Sequence, residues 1–280
     1  MPFLELFDET LDINATENYE LSLQVSPSEI SFSILDTLRN KFVMLRSYEP
    51  GEESRFQPSQ IEAIISMDDF LTRQFKKRNI LVTSPKATLI PGNLYDESRK
   101  NECFRFNHVL KEREVVLSNR VVNPELYIVF SVPEEYVCIL DQAFRGSEIL
   151  HHLKPLFYST DNPRKPASDF VIHIHFEDEY LNLVILDQIS IKFCNTFNYK
   201  TITDVQYFVL YVMRRLNIRN DEMIQISGRG PGRDDIIRGF SGYFSNVRFA
   251  EPSGNYTLSY VFNEVELSRY NNIFSIVSCV

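Results

Sequence analysis

The 280-residue sequence has no tryptophan, and it contains only nine glycines, five histidines and four cysteines. The cysteines, at positions 103, 138, 194 and 279, lie far apart and form no Cys-x-x-Cys pair, so the spacing typical of zinc sites and disulfide frameworks is missing. The serine nucleophile motif Gly-x-Ser-x-Gly and the Walker phosphate loop are also absent. From these absences we predict neither a metal centre nor a cofactor, and we assign no catalytic residue.

Long hydrophobic runs and an excess of positive charge are missing too. No apolar stretch is long enough to span a bilayer, and Met1–Glu5 has neither the basic nor the apolar part of a secretion signal. The net charge of −9 opposes binding to nucleic acid, which depends on Lys and Arg neutralising phosphates. Two short basic runs, at 76–78 and 214–215, fall near predicted helix ends, where the helix dipole favours cations. We therefore predict a cytoplasmic protein with no membrane span and no direct contact with nucleic acid.

What the sequence does contain is one pattern of elements that occurs twice. Tyr19–Glu49 and Phe170–Lys200 each predict three short strands, because apolar and polar residues alternate with a period of two. Each is followed by apolar residues at helical spacing and then by further strand and helix signals. The order in each half is strand-strand-strand-helix-strand-helix-strand. With 44% hydrophobic residues, the chain can build the cores of two α/β lobes.

The lobe boundaries follow from turn-forming residues and from the spacing of the two copies. Leu126–Val132 is interpreted as the counterpart of the strand Met223–Ser227, which places an insertion in the first lobe. A stretch rich in Asp, Asn and Pro between the copies is typical of a linker. The predicted organisation is a first lobe at 1–158 with its insertion near 80–125, a linker at 159–168, and a second lobe with a C-terminal extension at 169–280.

A glycine-rich segment, Ser227–Arg233, follows a predicted strand and opens a predicted helix. At such a position backbone N–H groups and the helix dipole favour an anion, so Gly228, Gly230 and Gly232 are candidate cofactor-binding residues. Their spacing matches neither the Walker motif nor the dinucleotide-binding motif. A purely structural loop is the alternative.

Asn195 and Asp204 fall where the third strand of the second half leads into its helix. Both are added to the candidate binding residues, since polar side chains at this junction can face a ligand. Helix capping is the alternative for Asp204, because a carboxylate complements the dipole at a helix start. A capping box is predicted at Thr203 and Gln206.

His173 and His175 suit a zinc or iron site only if the fold brings a third ligand near, and His151, His152 or the acids at 177–179 are the candidates for it. His173 and His175 are two apart in a predicted strand and are expected on one face of the sheet, where an ordinary polar strand face is the alternative to metal binding. His151 and His152 are predicted to point to opposite faces of a strand, with one ring buried and the other in water.

Four short patterns occur along the chain: Leu21-Ser22-Leu23 through Ile34-Leu35-Asp36; Thr88-Leu89-Ile90-Pro91; Asn195-Thr196-Phe197-Asn198-Tyr199 with Asp204 and Tyr207; and Cys279. Over nearly its whole length the chain thereby resembles a Bacteroidota family classed as a domain of unknown function. The repeated order of elements is similar to the ribonuclease H-like fold as duplicated in the actin-like ATPase superfamily. The resemblance implies a two-lobed α/β protein with that duplicated fold.

Active members of the actin-like superfamily hold nucleotide between the lobes, and the resemblance implies where the corresponding elements lie in this chain. Each meander would supply a tight turn with Asp and Gly that cradles phosphate. The first turn, Gln24–Glu29, has neither residue, and its Pro27 has no N–H. The second, Phe176–Tyr180, brings three carboxylates together. The segment 227–233 matches in part the third element, a glycine-rich turn beneath the adenosine.

These departures favour a non-catalytic scaffold that works through a protein partner on a degenerate actin-like fold. The alternative is a divergent nucleotide- or sugar-phosphate-binding enzyme that uses the Gly228–Gly232 loop with Asp178 or Asp204. A third, weaker hypothesis is a factor that assists RNA modification through a protein, since genes of the family often lie near one for a ribosomal RNA methyltransferase.

The C-terminal tail, Tyr256–Val280, is rich in Tyr, Phe and Arg, the side chains that anchor protein contacts. We predict it as the surface that meets the partner. Packing against a sheet as part of the core is the alternative. Its Cys279 is the thiol with the best prospect of reactivity.

Overall fold

A computed structural model of the protein describes residues 1–158, 169–187, 190–252 and 254–279. The chain divides into two compact units. The predicted linker at 159–168 lies outside the described residues. Unit 1 comprises Met1–Ser159, Ser253–Val265 and Asn272–Val280, and unit 2 comprises Thr160–Pro252 and Glu266–Asn271.

Strands and helices are numbered in chain order. The strands are β1 (Leu4–Phe7), β2 (Tyr19–Val25), β3 (Ile30–Asp36), β4 (Lys41–Tyr48), β5 (Lys77–Val82), β6 (Ala87–Pro91), β7 (Glu114–Val121), β8 (Leu126–Pro133), β9 (Ile149–His151), β10 (Val171–Phe176), β11 (Tyr180–Leu186), β12 (Ile191–Asn198), β13 (Met223–Gly228), β14 (Val247–Phe249) and β15 (Thr257–Leu258). The helices are α1 (Pro58–Met67), α2 (Lys100–Asn107), α3 (Glu134–Ala143), α4 (Lys154–Tyr158), α5 (Ile202–Arg215), α6 (Arg233–Phe240) and α7 (Asn271–Ser275).

Each unit is built on a sheet whose central strand is the first strand of a meander. In unit 1 the order is β1-β4-β3-β2-β5-β9, with β15 also paired to β4; in unit 2 it is β12-β11-β10-β13-β14. β2 and β10 each pair antiparallel with the next strand on one side and parallel with a later strand on the other. Both units have the predicted strand-strand-strand-helix-strand-helix-strand order, which confirms the predicted α/β fold class.

The core of unit 2 lies on one face of its sheet. Ile172, Ile174 and Phe176 of β10 point to this face and pack with Val205 and Val209 of α5. α5 begins one residue after Thr201, whose hydroxyl accepts from Asp204 N–H at 3.3 Å while the Asp204 carboxylate accepts from Thr201 N–H at 2.8 Å. The capping box predicted at Thr203 and Gln206 is therefore wrong by two positions, because the helix starts earlier than the apolar spacing indicated.

The inserted part of unit 1 extends further along the chain than the predicted range near 80–125. β8 lies between β6 and β7 in a separate three-stranded antiparallel sheet, so its interpretation as the counterpart of Met223–Ser227 is wrong. The counterpart is β5, which pairs parallel with β2 as β13 pairs parallel with β10. The small sheet, together with α2, is thus inserted between β5 and α3.

The C-terminal tail completes the core of unit 1. Tyr256 and Phe274 each set a ring edge-on against Phe42 of β4, with ring centroids 4.8 Å apart in both cases. Phe262 and Phe274 are fully buried, whereas Tyr260 is exposed. The prediction that the tail is a docking surface is therefore wrong, because its aromatic side chains fill the space beside β4. Of the C-terminal residues, Ser253–Val265 and Asn272–Val280 belong to unit 1, and Glu266–Asn271 belongs to unit 2.

Cys279 is buried with the tail, and burial raises the pKa of its thiol to about 12. The thiolate is the reactive form of cysteine, so this residue is protected rather than reactive. No helix among the described ranges is long and apolar enough to cross a bilayer.

Replacing Phe274 by Ala should lower the free energy of unfolding by about 3–5 kcal/mol, because a large, fully buried ring leaves a cavity. Urea denaturation measures the change. Tyr260→Ala, in the same tail but exposed, is the matched control and should have little effect. Equal stability of the two variants would contradict the placement of the tail in the core.

Candidate functional site

The glycine-rich loop after β13 is packed directly onto β10. Gly228 has a φ of +84°, and a Cβ at this position would lie 2.1 Å from the carbonyl oxygen of Phe176. A Cβ on Gly230 would lie 2.5 Å from the Phe176 ring. Gly232 is the residue before α6. The first two glycines are therefore required by the close approach of two backbone segments, which is a structural need that exists without any ligand.

Arg229 ties this loop to the turn between β10 and β11. Its N–H donates to Phe176 O at 2.9 Å, and its guanidinium lies 3.0 Å from the Asp178 carboxylate. Tyr199 donates its hydroxyl to Glu177 O at 2.9 Å from the other side. The Arg229 N–H, which an anion at this loop would need, is thus already bonded to Phe176 O. The Asp178 carboxylate on the turn is already paired with the Arg229 guanidinium.

The turn between β2 and β3 satisfies its own backbone donors. Ser26 Oγ accepts from the N–H groups of Ser28 and Glu29 at 3.3 and 2.8 Å. Ser26 N–H donates to Glu29 O at 2.9 Å, and Pro27 has no N–H. Every backbone donor from 26 to 29 is therefore accounted for, and a phosphate placed here would have to displace the serine hydroxyl.

The turn between β10 and β11 is closed and acidic. Glu177 N–H donates to Tyr180 O at 2.8 Å. Glu177 is buried, whereas Asp178 and Glu179 are on the outside of the turn. Three consecutive carboxylates repel a polyphosphate, and the Asp178 carboxylate lies 3.0 Å from the Arg229 guanidinium.

Asn195 and Asp204, the other two candidate binding residues, make local bonds. Asn195 is exposed on β12, and its Oδ1 accepts from Thr196 N–H at 2.9 Å. Asp204 accepts from the N–H groups of Lys200 and Thr201, and these bonds lower the pKa of its carboxyl group. The structure brings Gly228 and Gly230 together on Phe176, whereas Asn195 and Asp204 each bond to their own chain neighbours.

An open cavity of about 460 Å³ lies between the start of α5 and the end of the glycine-rich loop. Arg238, one of its two cationic residues, bonds to the Asp235 carboxylate across a turn of α6. The start of α5 is capped by its own side chains, and Arg238 is already paired with Asp235. The cavity is therefore lined by both positive and negative side chains. It is lined by Lys200, Thr201, Ile202, Pro231, Asp235, Arg238 and Gly239.

His173 and His175 share the sheet face opposite the core, as predicted from their spacing. His175 Nδ1 lies 2.8 Å from Ser227 Oγ, and its Nε2 lies 3.3 Å from a Glu177 carboxylate oxygen. A serine, a histidine and a carboxylate thus meet on adjacent strands, which the sequence did not reveal because Ser227 is 52 positions away. Ser227 is only 5% exposed, so its hydroxyl is not presented to a substrate.

Burial decides the charge of these histidines. It lowers the pKa of both His173 and His175 to about 4, so both rings are neutral near pH 7. His173 Nε2 has no hydrogen-bond partner among the described residues. The pair is consistent with a buried polar sheet face.

His151 and His152 correct one prediction. Both rings are fully buried, not one buried and one in water. His151 Nε2 lies 3.1 Å from Ser84 O, and Ser84 N–H donates to His152 Nδ1 at 3.4 Å. The reason is that the strand predicted to hold both histidines ends at His151 and is followed by α4, so the two rings do not alternate across a sheet.

Gly228→Ala should destabilise the protein by at least about 2 kcal/mol, because the residue has a positive φ and its new Cβ would meet a backbone oxygen. The matched control is Gly242→Ala, since a Cβ on Gly242 meets nothing within 4 Å. Chemical denaturation of both variants makes the comparison. A Gly228→Ala protein as stable as the Gly242→Ala protein would contradict the packing of the loop on β10.

Lowering the pH from 7 to 5 should destabilise the protein through its buried histidines. In the unfolded chain each ring binds a proton below its ordinary pKa of about 6.5, whereas the folded ring resists protonation until about pH 4. Stability is therefore complete above about pH 6.5 and falls between these values by about 1.4 kcal/mol per pH unit for each histidine. Urea denaturation should show that His173→Leu reduces the loss between pH 7 and 5 by about 2 kcal/mol. An unchanged loss would show that His173 is protonated in the folded protein.

Two solved structures resemble the whole chain. A 1.85 Å crystal structure of a Bacteroides thetaiotaomicron protein with an actin-like ATPase fold and unknown function matches with a TM-score of 0.81 and 18% identity, covering 97% of this chain and 100% of that one. The PilM–PilN type IV pilus biogenesis complex matches with a TM-score of 0.56 and 12% identity, covering 92% and 96% of the respective chains. At these identities the likeness shows the fold alone. No curated protein matches the sequence significantly.

A family model described as a protein of unknown function, DUF3822, matches residues 8–247. This range contains both meanders, the inserted sheet and the glycine-rich loop. The chain has the actin-like ATPase fold and belongs to the DUF3822 family.

Proposed function

We propose that the protein is a non-catalytic cytoplasmic interaction protein, which keeps the actin-like fold and has lost its nucleotide chemistry. The observation that carries the proposal is the turn between β2 and β3. Its N–H groups at Ser28 and Glu29 bond to Ser26 Oγ, and Pro27 offers none. A phosphate-binding turn works by aiming free N–H groups at an anion, and this turn has replaced the anion with a serine hydroxyl.

The second turn and the glycine-rich loop support the same proposal. The Arg229–Asp178 ion pair and the contact of Gly230 with the Phe176 ring close the two segments onto each other. The PilM–PilN structure, which matches this fold with a TM-score of 0.56, is by its name a complex in type IV pilus biogenesis. It therefore provides a precedent for protein binding on this fold, as a fold-level analogy.

The cavity beside the start of α5 favours a second candidate, a divergent nucleotide- or sugar-phosphate-binding enzyme. Lys200 and Arg238 line the cavity and could meet a phosphate. Asp235 opposes this role, because its carboxylate already pairs with Arg238 and would repel the anion.

Millimolar Mg-ATP should neither stabilise the protein nor be hydrolysed by it. A ligand at 100 times its Kd would stabilise the folded state by about 2.7 kcal/mol, which thermal unfolding detects readily. Phosphate release is measured in parallel, with EDTA to remove magnesium.

One variant tests the loop, and a second variant is its matched control. Arg229→Gln removes the charge beside the glycine-rich loop, and Arg219→Gln removes an exposed arginine that pairs with Asp221 elsewhere. Magnesium-dependent stabilisation of the natural sequence that Arg229→Gln abolishes and Arg219→Gln keeps would overturn the proposal in favour of the enzyme.

A further inference from the structure

The outer edge of β12 pairs with no strand among the described residues, where β11 is its one partner. The bond from Tyr199 N–H to Glu179 O, 3.2 Å long, fixes the alternation along this pair, so the N–H groups of Cys194, Thr196 and Asn198 point outward. Of these, Thr196 N–H bonds to the Asn195 side chain. Such an edge is a template for another strand.

Unit 1 shows which kind of segment the corresponding edge accepts. β4 has the same place in the sheet order as β12, and its outer side pairs with β1 antiparallel and with β15 parallel. β1 has the sequence Leu-Glu-Leu-Phe, and its Glu5 lies 3.1 Å from Arg46 of β4. In this chain, therefore, an extended apolar segment whose one acidic residue pairs with an arginine closes one third-strand edge, while the other has no further strand partner among the described residues.

A row of aromatic side chains borders the open edge on the helix side. Phe208 of α5 stacks on Phe197 of β12 with ring centroids 4.6 Å apart. Tyr207 and Tyr211 continue the row along α5 and are 62% and 47% exposed. The Arg215 guanidinium lies 5.3 Å from the Tyr211 ring. Exposed Tyr and Arg beside a free strand edge are suited to hold the side chains of an added strand.

The charge of this surface is opposite to that of the chain. Residues 191–215 contain four Lys or Arg and one Asp, whereas the whole chain has a net charge of −9. Lys200, Arg214 and Arg215 are exposed at or on α5. A partner segment with acidic side chains is therefore attracted here and repelled elsewhere.

We infer that β12 and the adjoining face of α5 bind an extended, acidic segment of a partner protein, which adds to the sheet as a further strand. The inference deepens the proposed function, on which it rests, by naming the class of partner segment and the surface that takes it. The aromatic row supplies contacts for its apolar residues, and the exposed arginines supply contacts for its carboxylates.

The test uses the full chain and a fluorescein-labelled probe peptide with the sequence of residues 1–10, which includes the Leu-Glu-Leu-Phe of β1. Fluorescence anisotropy should show saturable binding. Thr196→Pro removes an outward N–H and leaves the backbone bonds to β11 in place, and it should weaken binding at least tenfold, as should Tyr211→Ala. Thr196→Val removes only the hydroxyl that accepts from Asn182 Nδ2 of β11 at 2.8 Å, so it is the matched control and should keep binding. Arg214→Glu should also weaken binding, whereas Arg219→Glu, the same charge change beside Asp221, should not.

Several outcomes would overturn the inference. One is no binding by the natural sequence, and another is equal binding by the Thr196→Pro protein while its circular dichroism shows an intact fold. N-methylation of alternate probe residues that leaves binding unchanged would exclude strand addition. A concentration-dependent dimer in sedimentation that Thr196→Pro abolishes would instead make a second copy of this chain the occupant. None of these results concerns nucleotide, so the proposed function fails separately, through Mg-ATP turnover.

Discussion

Pairing of the first meander strand on both sides is the constraint on which the rest of each unit depends. β2 and β10 pair antiparallel with the strand that follows and parallel with a strand that arrives after a helix. This arrangement buries both central strands and forces a tight turn at their carboxyl ends. It also places the third strand of each meander at the outer side of that meander, where a further strand can pair with it.

The two units use this shared plan differently. At the turns, unit 1 satisfies the backbone with Ser26, and unit 2 gathers carboxylates and pairs Asp178 with Arg229. At the edges, unit 1 covers β4 with β1 and β15, whereas β12 of unit 2 keeps an outward row of N–H groups. The two turns and the glycine-rich loop, where the resemblance to actin-like ATPases would place phosphate, are hydrogen-bonded within the protein. The β12 edge, beside exposed aromatic side chains, has no further strand partner among the described residues. This contrast is why an interaction role is favoured over an enzymatic one.

Much of the fold could be predicted from the sequence, because the meander strands have a clear period of two and α5 has a clear helical period. The small inserted sheet could not be placed, since β8 is as apolar as a central strand and only its antiparallel pairing with β6 and β7 distinguishes it. β1 was missed because four residues give too short an alternation. The tail was misjudged because aromatic content is the same in a docking surface and in a core, and only the contacts of Phe42 with Tyr256 and Phe274 decide between them.

The candidate site was predictable only in part. Gly228 and Gly230 were predicted from the sequence as binding residues, and that role stays a prediction, whereas their close approach to Phe176 could be seen only in the structure. The capping role of Asp204 was foreseeable from its position, whereas the contact of His175 with Ser227 joins strands that are far apart in the chain. Side-chain hydrogen bonds that replace a ligand, such as that of Ser26, have no signature in a single sequence.

Amide hydrogen exchange at the turn between β2 and β3 tests the central claim most directly. If Ser26 Oγ holds the N–H groups of Ser28 and Glu29, both amides should exchange slowly in the free protein and at the same rate with saturating Mg-ATP. Rapid exchange in the free protein that becomes slow when Mg-ATP is added would show that these N–H groups await a phosphate, and it would contradict the account.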